Sequence, residues 1–116
     1  MDFKKKFTLE QRISESSRII HKYPDRIPII CQHSPSDTKL KDIDKTKYLV
    51  PSDLTMGQFA YVIRKRMKIN QEQAMFLVLD NNTLPPVSSL MTEIYSSHKN
   101  EDGFVYIYYM GENTFG

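Results

Sequence analysis

From Thr8 onward the apolar positions recur at helical intervals. Leu9, Ile13 and Ile20 fall on one side, with Glu10, Arg12, Glu15 and Arg18 on the other. This helix is predicted to end before Tyr23–Pro24, because proline disfavours helical geometry in the residue ahead of it. Upstream, Phe3 and Phe7 stand four apart around three lysines, a short amphipathic piece. The next run, IPIIC at 27–31, is β-branched and apolar and reads as a strand. Pro28 brings no amide hydrogen, so its position is expected at an edge or where no partner pairs. A polar, turn-rich stretch leads to KYLVP (47–51), where Tyr48 and Val50 should face one way and Lys47 and Leu49 the other.

Thr55 with Gln58 three residues on forms a capping box ahead of a second helical stripe of Met56, Phe59, Ile63 and Met67, ending at Lys68. Met75–Leu79 is apolar without alternation and reads as a third strand, central and covered on both faces. DNNTLPP turns the chain, Leu90, Met91, Ile94 and Tyr95 suggest a shorter helix, and FVYIYY (104–109) follows the Asp102–Gly103 turn as the last strand. Four strands with one main helix between them make an α+β, β-grasp arrangement with a four-stranded mixed sheet. The 9–21 helix must pack elsewhere, since the main helix takes the concave face.

Composition narrows the function more than the fold. At 116 residues, 40% apolar and 26% charged, the chain reads as one soluble domain. Its single cysteine excludes an internal disulfide and fits a reducing compartment. No apolar run approaches the roughly 20 residues of a membrane span, and MDFKKKFTLEQR lacks a signal-peptide core. The net charge of +2 is too small to imply nucleic acid, although Lys4–Lys6, Arg64–Arg66 and Lys39, Lys41, Lys45 and Lys47 could form a basic face.

Converging catalytic groups are hard to find. His21, His33 and His98 have no zinc-like spacing, and Cys31 in its apolar strand reads as packing. Ser34, Ser52, Ser88 and Ser89 lie in turns without a nucleophile elbow, and four scattered glycines form no phosphate loop. Glu101–Asp102 reads as a solvated turn. Tyr106, Tyr108 and Tyr109 could stack bases, but strand aromatics are ordinary core residues. No catalytic residue, metal site or cofactor is expected. Recognition by surface remains: a peptide pairing with the 47–51 strand would place side chains in flanking pockets.

YPDRIP (23–28), DKTKYLVPSDLTMGQF (44–59), IRKRM (63–67), LPP (84–86) and EDGFVYIYY…GENTFG (101–116) resemble the ubiquitin-like modifiers of autophagy, the GABARAP-type family, over nearly the whole chain. The resemblance implies a ubiquitin-like β-grasp carrying two additional N-terminal helices. Residues 1–24 would be the helical extension, 25–110 the core and 111–116 a flexible conjugation tail, within one structural domain. It also implies attachment through Gly116 to phosphatidylethanolamine on the forming autophagosome, then recruitment of cargo receptors and autophagy proteins bearing aromatic–x–x–aliphatic motifs. Glu15, Ile19, Pro28, Lys47, Leu49 and Phe104 would line the pocket for the aromatic residue. Tyr48, Val50, Pro51, Leu54, Phe59, Val62 and Ile63 would line the pocket for the aliphatic one. Arg26, Lys45, Lys47 and Arg66 would meet neighbouring acidic residues.

Further implied partners are the activating and conjugating enzymes of the lipidation pathway and a processing or deconjugating cysteine protease. The chain would be a monomer before conjugation, cytoplasmic, then autophagosomal when lipidated, with delivery to vacuole or lysosome. The alternative is an unconjugated trafficking or microtubule-associated adaptor using the same pockets. A terminal residue without Cβ suits threading into a narrow catalytic channel, and extended residues 110–116 would give it reach. Against the usual family spacing, the chain carries one additional residue in the 32–43 loop and another around Leu79–Thr83, both in turns.

Overall fold

The computed structural model describes residues 2–111. Helix α1 (Phe3–Lys6) and helix α2 (Leu9–Lys22) precede strand β1 (Arg26–His33) and strand β2 (Lys47–Pro51). Helix α3 (Met56–Met67), strand β3 (Phe76–Leu79), helix α4 (Met91–His98) and strand β4 (Val105–Met110) follow. The sheet order is β2-β1-β4-β3, with β1 and β4 parallel and both outer pairs antiparallel. This is the α+β ubiquitin-like β-grasp with a four-stranded mixed sheet.

Local chemistry sets the helix limits. Thr8 accepts from the Gln11 amide while the Gln11 side chain takes the Thr8 amide, and Thr55 and Gln58 repeat the arrangement on α3. Helix α3 stops at Lys68, whose left-handed backbone (φ 58°) returns its amide to the carbonyls of Arg64 and Lys65.

Strand alternation divides the interior into two layers. Ile27, Ile29 and Cys31 of β1, Tyr48 and Val50 of β2, and Val105, Ile107 and Tyr109 of β4 face inward with Phe59 and Ile63 of α3. Ile30, Phe104 and Tyr106 point the other way, beneath Ile19 of α2, with Phe3 and Leu49 at the margin. The N-terminal helices therefore cover the face that α3 leaves free.

Three expectations need correction. The Met75–Leu79 segment gives β3, which lies at the sheet edge beside β4; a run apolar on both faces reports coverage, not strand order. Strand β1 is internal, and Pro28 meets the second of its two alternatives, a position where no partner pairs. The Cys31 amide bonds to Thr46 of the strand-2 side, so alternation aims the Pro28 nitrogen toward β4, whose register begins only at Ile29↔Val105.

The apolar stripe of α2 is turned outward: Leu9, Ile13 and Ile20 are exposed, whereas Ser16 and Ile19 are buried. Asp102 is not in a solvated turn but 1% exposed. It accepts from Arg12 Nη1 at 2.6 Å, the Tyr106 hydroxyl at 2.5 Å and the Phe104 amide at 2.9 Å, while its carbonyl accepts from the Ser16 hydroxyl at 2.5 Å. Helix α2 thus docks through a polar latch, with Ile19 as its apolar anchor. Asp102 and Tyr106 together hold the Arg12 guanidinium above its ordinary pKa, against the opposing effect of burial.

Candidate functional site: an open strand edge between two apolar faces

Strand β2 pairs with β1 alone among the described residues, so its other side is an open edge. Ile27↔Val50 and Ile29↔Tyr48 fall in phase with the Cys31-to-Thr46 bond, so the main-chain groups of Tyr48 and Val50 turn toward β1. Those of Lys47 and Leu49 consequently point outward. The Arg26 guanidinium reaches round to the Leu49 carbonyl at 3.1 Å, occupying one acceptor of that edge.

The two side-chain sets lie on opposite faces of β2, as alternation requires. On the outer face Leu49 is half-buried above Ile19 and Phe104, which form a floor at 1% and 0% exposure; Pro28 is buried beside them. Lys47 donates to Glu15 across the mouth, and Arg18 reaches the same carboxylate at 2.6 Å. Lys47 and then Arg18 hold Glu15 below the ordinary carboxylate range, against the opposing effect of burial. A cleft of about 580 Å³ opens here between α1, α2 and residues 43–47.

On the inner face Tyr48, Val50, Phe59 and Ile63 are core residues, leaving Leu54 half-buried and Pro51 and Val62 exposed. The members expected as pocket walls therefore sort into floor and rim, and only the rim meets solvent. Among the rim cations, Lys45 Nζ sits 5.0 Å from the centre of the Tyr48 ring. Arg66 pairs with Asp44 at 2.9 Å.

Sequence reasoning missed Phe3, Phe7, Ile43 and Asp44, which line the cleft. Phe3 packs edge-on against Phe104 at 5.3 Å, and its amide donates to Gln32 at 2.6 Å. The i, i+4 spacing of Phe3 and Phe7 was the available signal. Tyr106 and Tyr109 are buried on opposite faces of β4, which removes them from any base-stacking platform. Cys31 is fully buried and its thiol is pushed up, as packing without nucleophilic character requires. Met110 ends β4 and Gly111 is buried, so the body extends two residues into the stretch expected to give the tail its reach. Gly116 lies outside the described residues.

A ubiquitin-like sheet with a free edge and an N-terminal helical pair on its outer face defines a protein of the β-grasp class. A family model described as "Autophagy protein Atg8 ubiquitin like" matches residues 11–116. The chain is 58% identical over 114 residues to Autophagy-related protein 8 of Schizosaccharomyces pombe, covering 98% of this chain and 93% of that protein. It is equally 58% identical to Autophagy-related protein 8a of Arabidopsis thaliana, with 98% and 92% covered. The crystal structure of Trypanosoma brucei ATG8 superposes with a TM-score of 0.89 at 43% identity, covering 100% of this chain and 98% of that one. The chain belongs to the Atg8 family of ubiquitin-like autophagy proteins.

Proposed function

We propose that this chain is a modifier joined through Gly116 to phosphatidylethanolamine on autophagosomal membranes, and that the β2 edge recruits proteins carrying aromatic–x–x–aliphatic motifs. The free edge of β2, with Leu49 on one face and Leu54, Pro51 and Val62 by the other, carries the recognition half of this reading. A peptide strand would pair with the outward groups of Lys47 and Leu49, displacing Arg26 from the Leu49 carbonyl. Its aromatic residue would enter beside Leu49 and its aliphatic residue beside Leu54. Main-chain pairing sets register and pocket depth selects side chains. Lys45, Lys47, Arg26 and Arg66 would steer acidic flanks, each exposed pair contributing roughly 0.2–1 kcal/mol.

The conjugation half rests on family membership, the family model extending through Gly116. The Gly116 carboxylate would attack ATP to give an acyl adenylate and pyrophosphate. A cysteine of the activating enzyme would displace AMP, and a conjugating-enzyme cysteine would take the acyl group by thioester exchange. The lipid amine would then form the amide and release the thiol. The chain itself is no enzyme in this scheme. Among the described residues no helix is long and apolar enough to cross a membrane, so the lipid chains would supply the anchorage. The protein would move from cytoplasm to autophagosome on lipidation.

Reconstitution with the activating and conjugating enzymes on phosphatidylethanolamine liposomes tests this directly. Mass spectrometry should find the lipid adduct on Gly116, abolished when an alanine is appended after it. Motif binding without any adduct would favour the unconjugated adaptor instead.

A further inference from the structure

Where β4 ends, the chain passes beneath the 34–43 loop. The Gly111 amide donates to Asp37 Oδ1 at 2.8 Å. The other oxygen of that carboxylate accepts from the Leu40 amide at 3.0 Å and lies 2.7 Å from His33 Nε2. His33 presents its second nitrogen to Asp42 at 2.8 Å and stacks on Tyr109, ring centres 4.8 Å apart and planes 2° from parallel. The Tyr109 hydroxyl donates to the Lys41 carbonyl at 2.7 Å, and its carbonyl accepts from the Ser34 amide at 2.9 Å. Both ends of the loop are therefore tied to β4 two residues before Gly111.

The fit around Gly111 is close. A Cβ there would stand 2.6 Å from the Lys39 Cβ and 3.1 Å from Leu40 Cγ, so any side chain would have to lift the loop. Both Asp37 oxygens are occupied, and its side chain is 2% exposed. An imidazole with a carboxylate at each nitrogen satisfies both only as the doubly protonated cation. Burial opposes that charge, yet Asp37 and Asp42 outweigh it and raise His33 above its ordinary pKa.

We propose that Asp37 is the positioning residue for the C-terminal tail: backed by His33, it clamps the Gly111 amide and fixes the point at which residues 112–116 begin. The geometry stands alone, but its consequence for conjugation rests on the function proposed above. Five residues span at most about 18 Å when fully extended, so the position of the root decides which active site the Gly116 carboxylate can enter. Loosening the root enlarges the volume that carboxylate samples, and the greater freedom lost when the tail enters an enzyme weakens binding of the modifier. Asp37 touches no reacting atom.

The test uses the full 116-residue chain, with Gly111 amide exchange by NMR and thioester formation by the purified activating enzyme as separate readouts. Asp37→Ala should accelerate Gly111 exchange about tenfold or more and raise the KM for the modifier roughly three- to tenfold, with kcat nearly unchanged. Asp37→Asn, which keeps an oxygen for the Gly111 amide, should restore most of both. Gly111→Ala, which crowds the loop rather than removing the acceptor, should raise KM as Asp37→Ala does. Circular dichroism and melting of each variant establish that it is folded. Equal Gly111 exchange in the wild type and Asp37→Ala overturns the clamp. Faster exchange with an unchanged KM overturns its role in presenting the tail. A wild-type chain that the enzyme never charges contradicts the conjugation reading, and the exchange rates alone then decide the clamp.

Discussion

The two faces of the sheet are built on different principles. The inner face is closed by α3 through a mainly apolar layer in which Phe59, Ile63, Ile29 and Ile107 are completely buried. The outer face has a smaller apolar cluster, Ile19, Ile30, Phe104 and Tyr106, and is fastened by the Arg12–Asp102–Ser16 latch. Hydrophobic burial is non-directional and tolerates sliding, whereas a buried carboxylate with several donors fixes one arrangement. The inner layer therefore makes the domain stable, and the outer latch decides where the N-terminal helices sit relative to the β2 edge.

Mutations can separate the layers. Phe59→Ala should cost about 3–5 kcal/mol, the range for emptying an aromatic site in a core. Denaturant melting should show the loss, and hydrogen exchange should show it spread across all four strands. Asp102→Ala should cost around 3 kcal/mol by stranding Arg12 and Tyr106. Its exchange signature should differ, with α2 amides losing more protection than α3. A uniform loss would contradict the separation of the layers.

A smaller effect is expected from pH. Burial alone would raise the Asp37 pKa, but His33 and the amides of Gly111, Leu40 and Lys39 outweigh it and hold the carboxyl at about 2 against an ordinary 3.8. This contribution, about 2 kcal/mol at neutral pH, is present above the ordinary value and is lost as pH falls through about 2. His33 has the opposite sign: its contribution is complete below its ordinary 6.5 and is lost as pH rises through the raised native value. The groups around its ring are Asp37, Asp42 and Tyr109, with Asp2, Lys5 and Tyr108 lining the adjoining cleft. The melting temperature should therefore decline on the alkaline side in the wild type, and that step should disappear in His33→Gln. An identical profile in both would remove His33 from the account.

The smallest stability effects should accompany selective losses of binding. Lys47→Glu, which sets a second carboxylate against Glu15, and Leu49→Ala should each weaken an aromatic–x–x–aliphatic peptide about tenfold or more. Both should leave melting nearly unchanged, because each side chain is only part-buried. Calorimetry beside thermal melting checks the pair, and unfolding without selective loss of affinity would count against the surface role.

The inner layer was legible in sequence because period alone encodes it. Phe59 and Ile63 recur at helical spacing, Tyr48 and Val50 alternate, and Thr55 with Gln58 announces the helix between. The outer layer was not. Periodicity assigned the buried face of α2 to Leu9, Ile13 and Ile20, whereas the latch uses Arg12 and Ser16, residue types that normally mark a solvated face. Their partner Asp102 lies 90 positions from Arg12, and no local pattern carries a pairing at that distance. The continuous apolar run of β3 likewise hid an edge strand. The candidate site fell between these cases: the edge character of β2 and the two faces of its side chains could be read, but not which residues would be floor and which rim. The clamp on Gly111 left no signal beyond the glycine itself.

Exchange of the Lys47 and Leu49 amides, with and without a bound aromatic–x–x–aliphatic peptide, tests the role of the β2 edge most directly. Both should exchange freely in the unbound protein and become protected on binding, while the β3 edge is unchanged. Peptide binding that leaves both amides unprotected, or protects β3 instead, would contradict it.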